Sequence, residues 1–434
     1  MPSARTVLPI LIGAAIGAGG ILRGLHREAA NQRGDQSDLL NQLRIAREEN
    51  DLLARENEAL RSLAQGGGEF AVPQEFLDRA EREFSLKFQS NPVVHRIATE
   101  ELSDRIAASY ESRYGPAGMD DRQEAYSLIG WLGPDDRLLG QFSAINSLGA
   151  IAWFDEESGD GWVTDRFDIE NIPNQAALFR VLVRILLNQN FAPPPAYPGD
   201  DQDRAREALH EGSAAAAEMR YFSDMARSIG FMKMNENPEA AAFFESLSPF
   251  MRGLVRFPES EGRGYAEALY QAGNDKLQNV LRNPPLTTAE IFAKQVGGIT
   301  PNVMSLPDLP EEPFLSETAG RLGLKLWLDA LEDEKAANEI SSHWLGDAYQ
   351  LFPDGEVSAA VVWDVRMDSQ DAADKLMASG LILVASAREN DQPVTAGELV
   401  LTGQRRYLAL IRKSEDQVRF INVATKESAE RLMN

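Results

Sequence analysis

Apolar residues fill nearly every position from Leu178 to Leu187, within the run AALFRVLVRILLNQN over 176–190. That density predicts a helix buried on most sides rather than a surface helix with one apolar stripe. Its only charges, Arg180 and Arg184, lie four apart, and Asn188 follows four later, so helical spacing puts all three on one narrow polar stripe. A short loop later, RAREALHEGSAAAAEMRY over 204–221 predicts a second helix. Glu207, Glu211 and Glu218 share one of its faces, with the small Ala214 and Ala215 between them. A basic stripe and an acidic stripe therefore sit on neighbouring elements.

The rest of the chain alternates less strongly. Residues 73–114 predict helices, and 150–154 and 161–164 predict two strands joined by a polar turn. Pro193, Pro194, Pro195 and Pro198 with Gly199-Asp200-Asp201 predict a stiff polar loop between the two central helices. Near the end, 407–412 and 418–423 predict a hairpin, and 428–433 a closing helix.

At the other end, VLPILIGAAIGAGGIL over 7–22 is uncharged and flanked by Arg5, Arg23 and Arg27. As a helix it spans about 24 Å, which snorkelling arginines can extend across a hydrocarbon core. An uncleaved anchor is expected over a cleaved signal peptide, because no small-residue cleavage site precedes a mature start. Residues 36–63 follow a heptad with Leu43, Asn50 and Asn57 at a and Leu39, Ala46, Leu53 and Leu60 at d. Asn at a favours a parallel two-stranded coil over a lone amphipathic helix. Gly66, Gly67 and Gly68 then break the pattern. The expected layout is a membrane anchor over 1–26, a coiled-coil stalk over 36–65, a Gly-rich linker over 66–74, a head over 75–305 and a C-terminal α+β region over 306–434.

Composition narrows the chemistry. The 434 residues carry 43 basic and 67 acidic side chains, a net charge of −24. Such a surface repels phosphate backbones, so nucleic acid is not an expected partner. Without cysteine there is no thiolate metal site and no cysteine nucleophile. The four histidines, His26, His95, His210 and His343, are too far apart in sequence for a local chelate.

The stretch LFRVLVRILLNQNF, 178–191, resembles the active-site helix of a bacterial group of gluzincin-like zinc metallopeptidases, whose pattern is close to L-x-H-E-L-x-H-A-L-x-D-Q-x-F. Leu182, Leu186, Gln189 and Phe191 stand where the pattern has Leu, Leu, Gln and Phe, and Glu211-Gly212-Ser213-Ala214 resembles the motif that supplies the third zinc ligand. Further likenesses are Phe257-Pro258, Gly262, Ala268-Leu269-Tyr270, Pro284-Pro285, Thr288-Ala289-Glu290-Ile291, the run His343 to Asp347, and Trp363 with Met367-Asp368-Ser369. The resemblance implies an α+β, predominantly helical fold: a gluzincin-like head with a small β-sheet, preceded by the transmembrane helix and the stalk. It also implies a strand pair before the active-site helix, along whose edge a substrate would lie.

The residues that would do the chemistry are replaced. Arg180 stands for the first His, Val181 for the catalytic Glu and Arg184 for the second His. Arginine stays protonated and offers no lone pair to zinc, and valine is no base. The expectation is therefore no catalytic residue, no metal and no cofactor, in a former zinc site where Arg180 and Arg184 pair with Glu211, helped by Glu207 or Glu218. The competing expectation is an arginine stripe that faces solvent. On the first, removing Arg184 would strand a buried carboxylate at a cost of about 3–5 kcal/mol.

The function expected is a membrane-tethered, catalytically inactive metallopeptidase homologue that binds or scaffolds a peptide or protein. It would be a homodimer through the coiled coil, with its head periplasmic or extracytoplasmic. The alternatives are a hydrolase with a displaced site around His210 and Glu211, with His343, and a purely structural envelope protein.

Overall fold

The computed structural model describes residues 68–434, except 116, 193–197, 230–236, 296–298, 300–303, 305–308, 310–311, 356–357, 389–393, 403 and 434. Residues 69–434 form one compact unit. In chain order it begins with α1 (Gln74–Phe84), β1 (Val94–Ile97), α2 (Thr99–Tyr114), α3 (Gly118–Ile129), α4 (Leu138–Ser147), β2 (Ala152–Phe154) and β3 (Gly161–Thr164). The central helices are α5 (Ile172–Asn190) and α6 (Asp200–Ile229). There follow α7 (Pro238–Ser246), α8 (Pro249–Phe257), a π-helical turn (Pro258–Gly262), α9 (Arg263–Gln271), α10 (Asn274–Arg282) and α11 (Thr288–Ala293). The last part comprises β4 (Leu315–Glu317), α12 (Gly320–Leu328), α13 (Glu334–Ser342), β5 (Trp344–Pro353), β6 (Ala359–Met367), α14 (Gln370–Ser386), β7 (Val400–Leu401), β8 (Tyr407–Arg412), β9 (Gln417–Val423) and α15 (Lys426–Met433).

Helix α5 is buried because its sequence leaves no polar face wide enough to meet water: every residue from Leu178 to Leu187 except Arg180 is buried. It starts on Asn171, whose side chain accepts from the Asn174 amide, with Pro173 in the first turn. The helix packs on α6 on one side and on β2 and β3 on the other. Val181 sits where β3 comes closest, since a Cβ on Gly161 would lie 2.6 Å from Val181 Cγ1.

Helix α6 begins four residues earlier than the acidic and alanine pattern of 204–221 predicts. Asp200 and Asp201, expected in the preceding loop, form its first turn, where carboxylates complement the helix dipole. Both are buried and bonded. Asp200 accepts from Arg122 Nε at 2.8 Å and Tyr349 Oη at 2.6 Å, and Asp201 from Thr288 Oγ1 at 2.6 Å. These bonds tie α6 to α3, β5 and α11.

The small sheet has the order β1-β3-β2, with β1 parallel and β2 antiparallel to β3. Strand β1 falls inside a segment whose pattern predicts only helices; four residues are too few to show a period of two against the helical background. A second, antiparallel sheet has the order β4-β5-β6-β9-β8-β7. The hairpin expected over 407–423 is β8 and β9, with β6 on one side and the edge strand β7 on the other.

Among the described residues no helix is long and apolar enough to cross a membrane. The expected fold class is corrected on this point, and with it the membrane location: the structure is α+β and gives a transmembrane anchor no support. The run 7–22 and the heptad of 36–63, which carried those expectations, lie outside the described residues.

Candidate functional site

A cleft of about 890 Å³ opens over α5 and α6. One wall is strand β2 with the end of α4, and the other is formed by α7, α8 and the π-helical turn. Both arginines of the α5 stripe line it, and they meet the glutamates of α6. Arg180 donates from Nε to Glu211 Oε1 at 2.5 Å, from Nη1 to Glu218 Oε2 at 3.1 Å and from Nη2 to Glu259 Oε1 at 2.6 Å. Arg184 donates from Nη1 to Glu211 Oε2 at 3.0 Å and lies 5.0 Å over the ring of Phe154. Glu211 is thus held by two guanidinium groups, and Arg180 by three carboxylates. Such charge-assisted pairs are the strong class of hydrogen bond.

Of the residues the sequence brings forward, Arg180, Arg184, Glu211 and Glu218 come together. Glu207 does not join them; it lines the cleft but accepts from Arg204 Nη1, one helical turn away, at 3.0 Å. Glu259 completes the cluster in its place. Its distance in sequence from α6 hides the contact.

Two glycines explain how Glu259 arrives. A Cβ on Gly212 would lie 2.2 Å from the Gly262 carbonyl carbon, and one on Gly262 would lie 2.3 Å from the Ala208 oxygen. Helix α6 and the π-helical turn therefore cross backbone against backbone, which carries Glu259 over to Arg180. Gly212 belongs to the Glu-Gly-Ser-Ala stretch, and this contact is a physical reason for a glycine after Glu211.

Burial pushes the Glu211 carboxyl up, but Arg180 and Arg184 outweigh it and hold the group below the usual carboxylate range. For Glu218 the balance falls the other way: burial raises it and the single Arg180 contact does not compensate. Beside this cluster lies a second network without a sequence signal. Glu156, in the turn after β2, accepts from Arg206 Nη1 at 2.5 Å and Arg113 Nη1 at 2.9 Å, and Arg206 Nη2 reaches Asp203 at 3.1 Å. Against the cost of its burial, Arg113, Arg206 and Arg184 hold Glu156 well below the ordinary range. The network pins the β2–β3 turn to α2 and α6.

Strand β2 leaves one edge open. Ile151 accepts from the Thr164 amide and the Asp155 amide donates to Asp160. With the register Ala152↔Val163 and Phe154↔Gly161, the alternation of an antiparallel ladder turns the backbone N–H and C=O of Ala152 and Phe154 away from β3. Ala152 and Phe154 both line the cleft.

Zinc does not fit these residues. Two guanidinium groups and a valine occupy the stripe where the resemblance expects two imidazoles and a carboxylate, and among the described residues no group of three or more His, Cys, Asp or Glu could hold a metal. Of the residues expected in a displaced site, Glu211 lines the cleft, and His210 and His343 do not. His210 is buried, and burial together with Arg184 and Arg206 pushes its imidazole down to about 3, which leaves it a poor proton acceptor. His343 caps α13 and pairs through Nδ1 with Asp368 at 2.9 Å.

Asp347, the last residue of the run from His343, holds the start of α12 in place. It is buried and accepts from the Ala319 and Gly320 amides and from the indole N–H groups of Trp344 and Trp363, at 2.7 to 3.0 Å. Comparison with family models, with curated proteins and with solved structures gives no match, so the metallopeptidase relationship expected from the sequence finds no support there.

Proposed function

We propose that this chain is a binding protein whose cleft takes up an extended peptide segment and does not hydrolyse it. The observation that carries the reading is the juxtaposition, in one cleft, of the open β2 edge and the Arg180–Arg184–Glu211 cluster. An exposed strand edge is a template for a further strand, and a chain added there gains main-chain hydrogen bonds whatever its side chains. The cleft volume falls inside the roughly 300–1,000 Å³ of ordinary ligand sites. Turnover would need a polarising cation or an activated nucleophile with a base, and the cleft floor offers guanidinium groups already engaged by carboxylates.

The full chain, incubated with blocked peptides of eight or so residues, should retain them and return them uncut by mass spectrometry. Cleavage that a chelator abolishes, together with stoichiometric zinc in the purified protein, would make the chain a hydrolase and end this reading. Absence of any retained peptide would leave a structural protein instead.

A further inference from the structure

The walls of the cleft are not held equally. Helix α8 is fixed to the core by Phe250, Met251, Leu254 and Phe257, all buried. None of the nine residues of α7 is buried, and its aromatics, Phe243 and Phe244, reach the core only in part. Elements with so little buried apolar surface lie at the low end of local stability. The C-terminal end of α7 is nevertheless pinned: Leu247 is buried, and Arg252 Nη1 donates to the Glu245 and Leu247 carbonyls at 2.9 and 3.0 Å. Phe244 faces the cleft, with the Arg256 guanidinium 4.5 Å over its ring.

The other end of α7 reaches across to the opposite wall. Asn237, whose side chain caps α7 by accepting from the Glu239 and Ala240 amides, lies against Gly149. A Cβ on Gly149 would come 2.8 Å from Asn237 Nδ2 and 3.4 Å from Asn237 Cβ. Gly149 lines the cleft just before β2, so this contact closes the cleft at the end where β2 begins. The three residues of β2 cover about 10 Å, whereas an extended chain of eight covers about 26 Å. A ligand paired along β2 and running on past Ile151 therefore meets Asn237.

Building on the peptide-binding reading, we infer that α7 is a lid, hinged at Leu247 and latched by Asn237 on Gly149, which swings away from β2 before an extended chain can lie along it. Gly149 is half of the latch, since a side chain there would hold the two walls apart. The boundary between the fixed wall and the moving one falls at Leu247, the last residue before Ser248 caps α8. A latched lid makes the open cleft a minority state, and the association rate falls with its population.

The chain has no cysteine, so Gly149→Cys combined with Asn237→Cys introduces a single pair, whose Cβ separation of 3.4 Å is close to the roughly 3.5–4.5 Å of a disulfide. Association of a dye-labelled, blocked octapeptide of alternating alanine and serine is followed by stopped flow with the pair oxidised, with it reduced, and with the parent chain. Oxidation should slow association at least about tenfold, and reduction should restore it. Asn237→Gly, which removes the latch and keeps a tolerated helix cap, should speed association about threefold or more over the parent. Equal rates in oxidised and reduced protein, with the disulfide verified by mass, or an unchanged rate in Asn237→Gly, would overturn the lid while leaving peptide binding intact. A parent chain that binds no peptide would overturn both.

Discussion

Arg180 and Arg184 occupy equivalent positions on the α5 stripe yet carry unequal loads. Arg184 is the more buried, with 8% of its side chain exposed, but the carboxylate it hydrogen-bonds is Glu211, which keeps Arg180 when Arg184 is removed, and Glu156, which it also steadies by its charge, keeps Arg113 and Arg206. Arg180 is 27% exposed and serves Glu211, Glu218 and Glu259. Arg184→Ala should therefore cost about 1–2 kcal/mol, less than the full penalty for stranding a buried charge, because no carboxylate is stranded. Arg180→Ala should cost more, about 2–3 kcal/mol after allowance for solvent screening, because it leaves Glu218 and Glu259 facing each other. Urea denaturation of both variants gives the order directly. A larger loss in Arg184→Ala would show that burial, not the number of partners, sets the energetics. The stripe and the acidic face were legible in the sequence from helical spacing alone. Glu259 and Glu156 were not, since each reaches the cluster from a separate element and no periodicity links them to it.

At the scale of elements, the site depends on how closely the π-helical turn approaches α6. Helices that touch through glycine backbone cannot absorb even one methyl group when the opposing atoms are main chain. Gly212→Ala places a Cβ 2.2 Å from the Gly262 carbonyl carbon, so the turn must move and take Glu259 with it. The expected result is a loss of about 3 kcal/mol or more by thermal or urea denaturation, at the upper end of overpacking penalties. A neutral Gly212→Ala would mean the crossing is looser than drawn. Element existence was readable where the pattern is dense, as in α5, the β8–β9 hairpin and the closing helix. It failed at β1, too short to declare a period, and at the start of α6, where Pro198-Gly199-Asp200-Asp201 carries turn residues although tertiary bonds to Asp200 and Asp201 recruit the aspartates into the helix.

For the molecule as a whole, the described residues form one α+β unit whose two sheets and central helix pair leave a single strand edge facing a charged cleft. Net charge and the exclusion of thiolate chemistry could be read from composition. The membrane anchor finds no support, since no helix among the described residues is long and apolar enough to cross a bilayer and the run 7–22 lies outside them. The cleft itself was out of reach of the sequence: its walls come from 150–157 and 244–259, brought together only by packing on α5 and α6. What the account asks of the molecule is that a ligand chain lie along β2. Ala152→Pro tests this most directly, since proline removes one of the two amides turned away from β3 and is tolerated on a strand edge. Titrated with a blocked peptide that the parent retains, the variant should fold and melt as the parent does and lose most of its binding. Undiminished affinity in a folded Ala152→Pro variant would contradict the account.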